Sequence, residues 1–131
     1  MEIFDRTSEG SVLLVDMKKD RIRIRKATLH QIGDPSYIQL LVNPKTLAVA
    51  IRAVDIEISG DQTYRIGRRL KDSSNYIEIR SRPFIQRLRL IATGLDFGRS
   101  YHIFGHIIPN ERAAVYYLKT MRPTTEDGGM R

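Results

Sequence analysis

Two stretches of this chain carry the same order of apolar and basic positions, and that repetition constrains the fold more than any single motif. Ile22, Ile24, Arg25 and Leu29 recur 55 positions later as Ile77, Ile79, Arg80 and Phe84. Leu41, Val42, Ala48 and Val49 recur 66 positions later as Ile107, Ile108, Ala114 and Val115. The change of offset places about 11 additional residues in or after the second predicted helix. Neither copy alone could bury enough apolar surface to be stable, so the two, about residues 20–54 and 75–119, are expected to share one core. The expected fold is mainly β with short helices (α+β), in which tandem β-α-β-β repeats form a pseudo-symmetric small β-barrel or a swapped-hairpin-like domain.

Local patterns place the elements. Ser11 to Met17 is a mostly apolar strand, turned by Lys18, Lys19 and Asp20. Arg21 to Arg25 alternates strictly, which puts Ile22 and Ile24 on a core face and three arginines on the other. Lys26 to Ile32 suits two helical turns closed by Gly33 and stopped by Pro35. Tyr37–Val42 and Leu47–Val54 form a hairpin through Asn43-Pro44. Thr63 to Leu70 is a further strand, and a polar loop from Lys71 to Asn75 joins the repeats. Tyr76 to Arg80 opens the second copy. Ser81 is a candidate cap and Pro83 a first-turn residue for a helix to Thr93, with Phe84, Leu88 and Ile91 as its apolar stripe. Gly94 ends it, and Tyr101–Ile108 and Ala113–Leu118 make the second hairpin. Residues 1–10 are expected to be a flexible start, 11–121 one domain, and 122–131, with no apolar pattern, a disordered tail.

Charge bears on partners rather than on the fold. The net charge is +7, but the first 20 residues hold five acids against three bases, whereas residues 65–99 hold nine bases against three acids. Such a middle section is a candidate polyanion surface, since cations that neutralise phosphates release condensed counterions. No run approaches the roughly 18 apolar residues of a membrane span, and the first residues lack a secretory pattern, so a cytoplasmic protein is expected. With no cysteine in the chain, disulfides, thiolate metal sites and thiol catalysis are excluded.

The segment Asp20-Arg21-Ile22-Arg23-Ile24-Arg25, followed at once by a short helix and a hairpin and then duplicated, resembles the swapped-hairpin transcription factors of the AbrB and MraZ type. Asp20 stands where that family has glycine and Arg25 where it has proline. The run from Gly33-Asp34-Pro35-Ser36-Tyr37-Ile38 through Asn43-Pro44 to Ala50-Ile51-Arg52 also resembles short uncharacterised bacterial proteins, and the likeness spans residues 20–118. The family resemblance implies duplex contact by strand arginines, with Arg21 at the matched position, and a homodimer with interleaved hairpins. Strand alternation and proximity extend the candidate set to Arg23, Arg25 and Lys26; Arg80 matches Arg25 in the second copy, Arg82 is its neighbour, and Arg89 lies on the basic side of the second helix. Arginine suits the task because its planar fork pairs bidentately with phosphate or guanine.

Catalytic chemistry is not indicated. His102 and His106 are four apart on a predicted strand, about 13 Å along it and too far for one metal ion. Gly94, Gly98 and Gly105 make no phosphate loop and are expected to be helix-stop and turn residues. Glu57, Asp61 and Glu78 lack an accompanying nucleophile or base. Tyr64, Tyr76, Tyr101, Tyr116 and Tyr117 could stack on single-stranded bases, although strand tyrosines are more often half-buried sheet residues. The expectation is a small non-enzymatic protein that binds duplex DNA, a possible transcriptional regulator, without cofactor or metal. The alternative is a protein-protein interaction module, such as an accessory subunit of a mobile genetic element, that pairs through exposed hairpin edges.

Overall fold

The strict alternation of Arg21–Arg25 and Tyr76–Arg80 is realised in the computed structural model, which describes residues 10–56, 63–67 and 74–124. The elements are β1 (Gly10–Asp16), β2 (Arg21–Arg25), α1 (Lys26–Gln31), β3 (Tyr37–Asn43), β4 (Ala48–Val54), β5 (Thr63–Arg65), β6 (Tyr76–Arg80), α2 (Arg82–Ile91), β7 (Ser100–Ile108), a 3-10 turn (Pro109–Glu111) and β8 (Ala113–Pro123). All eight strands belong to one antiparallel sheet in the order β5-β3-β4-β8-β7-β1-β2-β6, which nearly closes into a barrel. Near its two end strands, the hydroxyl of Tyr64 in β5 shares a hydrogen bond with that of Ser81, the residue that follows β6.

Alternation dictates what the barrel encloses. Ile22 and Ile24 of β2, Ile77 and Ile79 of β6, Leu13 and Val15 of β1, and Ile103 and Ile107 of β7 all point inward and are buried. Leu29 of α1 and Phe84, Ile85 and Leu88 of α2 join the same core. Each such side chain contributes about 1.5–3 kcal/mol on burial, whereas an exposed ion pair contributes about 0–1 kcal/mol. The apolar interior therefore holds the fold, and the outer charges are free to serve another purpose.

Ends and turns follow from local chemistry. The Asp16 carboxylate accepts from the backbone N–H of Lys18 and Lys19, both at 3.1 Å, and so makes the β1–β2 turn. Asp20 completes that turn in the left-handed region at φ 54°, at the position where the resembled family has glycine; a short polar side chain tolerates this backbone. Ser81 caps α2, accepting from Phe84 N at 3.3 Å, with Pro83 in the first turn. Gly33 closes α1 at φ 97°.

The pairing between corresponding segments is reciprocal. Ile22 faces Ile79 while Ile24 faces Ile77, and Ala48 faces Tyr117 while Ile51 faces Ala114.

Several boundaries differ from the sequence reading. α2 stops at Ile91, and Ile85 rather than Ile91 completes its buried face. β8 runs on from Leu118 to Pro123, and the hydroxyl of Thr120 bridges an irregularity in the β7–β8 pairing: it accepts from Phe104 N at 2.8 Å and directs its single proton to the Tyr117 carbonyl at 2.6 Å, with the Phe104 carbonyl at 3.1 Å. Arg122 thus sits in a strand opposite His102, not in a tail. Gly105 lies within β7 and is no turn residue; a Cβ there would come 1.7 Å from the Val115 carbonyl oxygen. The flexible start over residues 1–9, residues 68–70 of the predicted fifth strand, most of the joining loop and the tail from residue 125 lie outside the described residues.

Candidate nucleic-acid interface

Because Ile22 and Ile24 point into the barrel, Arg21, Arg23 and Arg25 all stand on its outer surface. Antiparallel pairing sets Arg80 opposite Arg21, Glu78 opposite Arg23 and Tyr76 opposite Arg25 on that surface. Arg21 is the most engaged of the three. Its Nε donates to Asp16 at 3.0 Å and its Nη1 to Glu78 at 2.9 Å. Arg23 donates to the other Glu78 oxygen at 3.2 Å and lies 5.4 Å from the centre of the Tyr76 ring. Arg25 and Arg80 are exposed and make no ion pair among the described residues.

These contacts set the charge states. Partial burial works against the Arg21 charge, but its hydrogen bonds to the Asp16 and Glu78 carboxylates more than offset it and raise its pKa. Burial would likewise lift the Glu78 carboxyl, yet its bonds to Arg21 and Arg23 prevail and hold it below the ordinary value of 4.5. Arg21 and Glu78 thus hold each other in the charged form, with one carboxylate serving two guanidiniums.

The remaining predicted cations separate. Arg82 is 77% exposed and 3.9 Å from Asp20, and Arg89 is 3.6 Å from the same carboxylate. Arg89 also donates to the Met17 carbonyl at 2.8 Å and stacks 5.0 Å from the Phe97 ring centre, so it ties α2 to the β1–β2 turn. Lys26 does not belong to the surface at all: it is 7% exposed. Lys26 opens α1 directly after β2 and lies among that helix's buried residues with Thr28 and Leu29.

Two adjoining pockets form a groove along the arginine row. One of about 350 Å³ is lined by Val12, Leu14, Arg23, Arg25, Tyr76, His102 and Thr124. The other, about 530 Å³, shares Leu14, Arg23 and Thr124 and adds Arg21 on one side and Arg99 on the other. His102 was legible as an outward position, since Tyr101 and Ile103 on either side of it face the core, whereas Arg99 precedes β7 and alternation does not place it; only tertiary pairing sets both across β1 from β2. The tyrosines divide as well: Tyr101 and Tyr116 are buried, whereas Tyr76 is 47% exposed and Tyr117 half-buried on the outer face.

The groove offers cations, aromatic edges and an apolar floor. Among the described residues, no three His, Asp or Glu side chains gather closely enough to hold a metal ion, and no helix is long and apolar enough to cross a membrane. Comparison with family models, curated proteins and solved structures finds no match to this chain.

Proposed function

We propose that this chain is a non-catalytic nucleic-acid-binding module that grips the phosphate backbone along the groove beside β2. The observation that carries the reading is the outward row Arg21, Arg23 and Arg25, with Arg80 beside it and Arg99 on the opposite wall. Successive outward residues on a strand recur about every 6.6 Å, so this row presents positive charge along a line rather than at a point. A linear array of guanidiniums suits a linear array of phosphates and would recognise backbone rather than sequence. Duplex DNA is one such polyanion, and the row by itself does not select it over others. Arg89 and Lys26 have no part in the grip, since one is spent on tertiary contacts and the other is buried.

Binding of labelled nucleic acid across a salt series tests the reading. Affinity should fall steeply with salt, and Arg23→Ala with Arg25→Ala should weaken binding for every sequence and flatten the slope of log K against log salt by about 1.5–2. Binding that is absent at low salt, or a slope unchanged in the double variant, would overturn it.

A further inference from the structure

On the outer surface, aromatic rings line up with the cations. Tyr117 of β8 pairs opposite Phe104 of β7, and Phe104 opposite Val12 of β1. Val12 lines the same pocket as Arg25 and Tyr76, which pair directly across β2 and β6. One step along the strands, His102, Leu14, Arg23 and Glu78 form a parallel row. From β8 to β6 the first row crosses four strand spacings, about 19 Å. Phe104 is 39% exposed and Tyr76 47% exposed. His102 lies beside Phe104 with ring centres 6.4 Å apart, and the Arg23 guanidinium lies by Tyr76.

Isolated exposed aromatics are ordinary, but Tyr76 in the groove beside Arg23 and Arg25, with Phe104 and Tyr117 continuing its row across β7 and β8, is not explained by solubility or by the core. We infer that the ligand of this face is a single-stranded nucleic acid, its bases stacking on Tyr76, Phe104 and Tyr117 while Arg23, Arg25 and Arg99 hold its phosphates. This rests on the nucleic-acid reading above and names the form of the ligand. Rings and guanidiniums both offer planar faces to a base, and stacking tolerates any sequence because every base has a π-face. A duplex presents its phosphates to the same arginines, but its base faces are already covered by their neighbours in the stack. Of the two nucleic-acid forms, the unpaired strand is the one that can use the aromatic row. Charge agrees in part: Asp16 and Glu78 are engaged by Arg21 and Arg23, and the Asp96 carboxylate, on the same wall as Arg99, accepts from Gly98 N at 2.8 Å. Arg25 is therefore the cation of the face best placed to attract phosphate, with Arg99 beside it also donating to the Thr124 carbonyl.

The test uses the whole chain with labelled oligothymidylate of about ten nucleotides and a labelled duplex of the same length. At one salt concentration, the single strand should bind at least about ten-fold more tightly. Tyr76→Ala and Phe104→Ala should each weaken single-strand binding by about ten-fold or more, with duplex binding little changed and the salt slope intact, since no charge is removed. Tyr76→Phe keeps the ring and should retain binding, and melting curves of the variants separate a lost platform from a lost fold. Equal affinity for the two forms, or indifference of folded variants to the missing rings, would overturn the single-strand inference while leaving backbone binding standing. Failure of both probes to bind would remove the nucleic-acid reading itself.

Discussion

Glu78 is the residue on which the outer face turns. Its two carboxylate oxygens are shared between Arg21 and Arg23, so it both organises the arginine row and subtracts from its field. Glu78→Gln should release the two guanidiniums and strengthen nucleic-acid binding about three-fold or more at low salt, read by anisotropy. Its pH signature has a definite sign. Because the folded-state pKa lies below 4.5, the contribution of Glu78 to stability is present above 4.5 and is lost as pH falls through the lowered folded value. Chemical denaturation between pH 3 and 6 should therefore show a shallower acid limb in the variant than in the parent chain. A tighter-binding variant with an unchanged acid limb would mean that the carboxylate opposes phosphate without supporting the fold.

Among the elements, the β7–β8 hairpin holds the described glycine with the least room for a side chain. At Gly105 the backbone of β8 passes so close that an added Cβ would lie 1.7 Å from the Val115 oxygen and 2.7 Å from the Tyr116 Cα. These are main-chain atoms, so no side-chain rotation relieves the clash, and β8 itself would have to move. Gly105→Ala should cost about 3 kcal/mol or more and lower Tm by roughly 10 °C or more in a thermal melt. A melt within a degree or two of the parent would show that the strands can separate locally without penalty. The same hairpin carries Phe104 and Tyr117 on its outer side, so its tight crossing also positions two rings of the proposed stacking row. Its turn parallels that of β3–β4: each has a proline three residues before a left-handed residue, Pro44 with Leu47 at φ 52° and Pro109 with Arg112 at φ 50°.

At the scale of the whole molecule, one buried polar chain joins parts far apart in sequence. The Tyr116 hydroxyl of β8 meets the Ser11 hydroxyl of β1 at 2.8 Å, and Ser11 meets Thr28 of α1 at 2.8 Å. Hydroxyls suit this place because each both donates and accepts, so three buried groups satisfy one another. Burial raises the Tyr116 pKa above its ordinary value of 10.0, and the bonds to Ser11 and Thr28 only partly counter this. With the folded pKa raised, the stability from the neutral phenol is complete below about 10 and is lost as pH climbs, since the unfolded chain releases the proton first. Tyr116→Phe should cost about 1 kcal/mol at neutral pH and flatten the loss above pH 10. Denaturation curves at intervals from pH 8 to 11.5 should converge for the two proteins, and curves that stay parallel would exclude Tyr116 as the source.

Sequence alone determined the elements whose cause is local. Period-two alternation sorted Ile22, Ile24, Ile77 and Ile79 inward and the strand arginines outward, Ser81 and Pro83 marked the start of α2, and Asn43-Pro44 marked a hairpin. Each of these depends on sterics or hydrogen bonding within a few residues. Tertiary structure decided what long-range neighbours impose. Arg21 and Arg23 meet Glu78 across 57 and 55 residues, Gly105 is required by a strand that follows it, and Arg89 is spent on the β1–β2 turn 72 residues earlier. Alternation tells which face a side chain occupies but not which strand lies beside it. The grouping of Arg21, Arg23, Arg25, Arg99 and Tyr76 along one groove therefore arose only when the barrel set β2 and β6 beside β1 and β7.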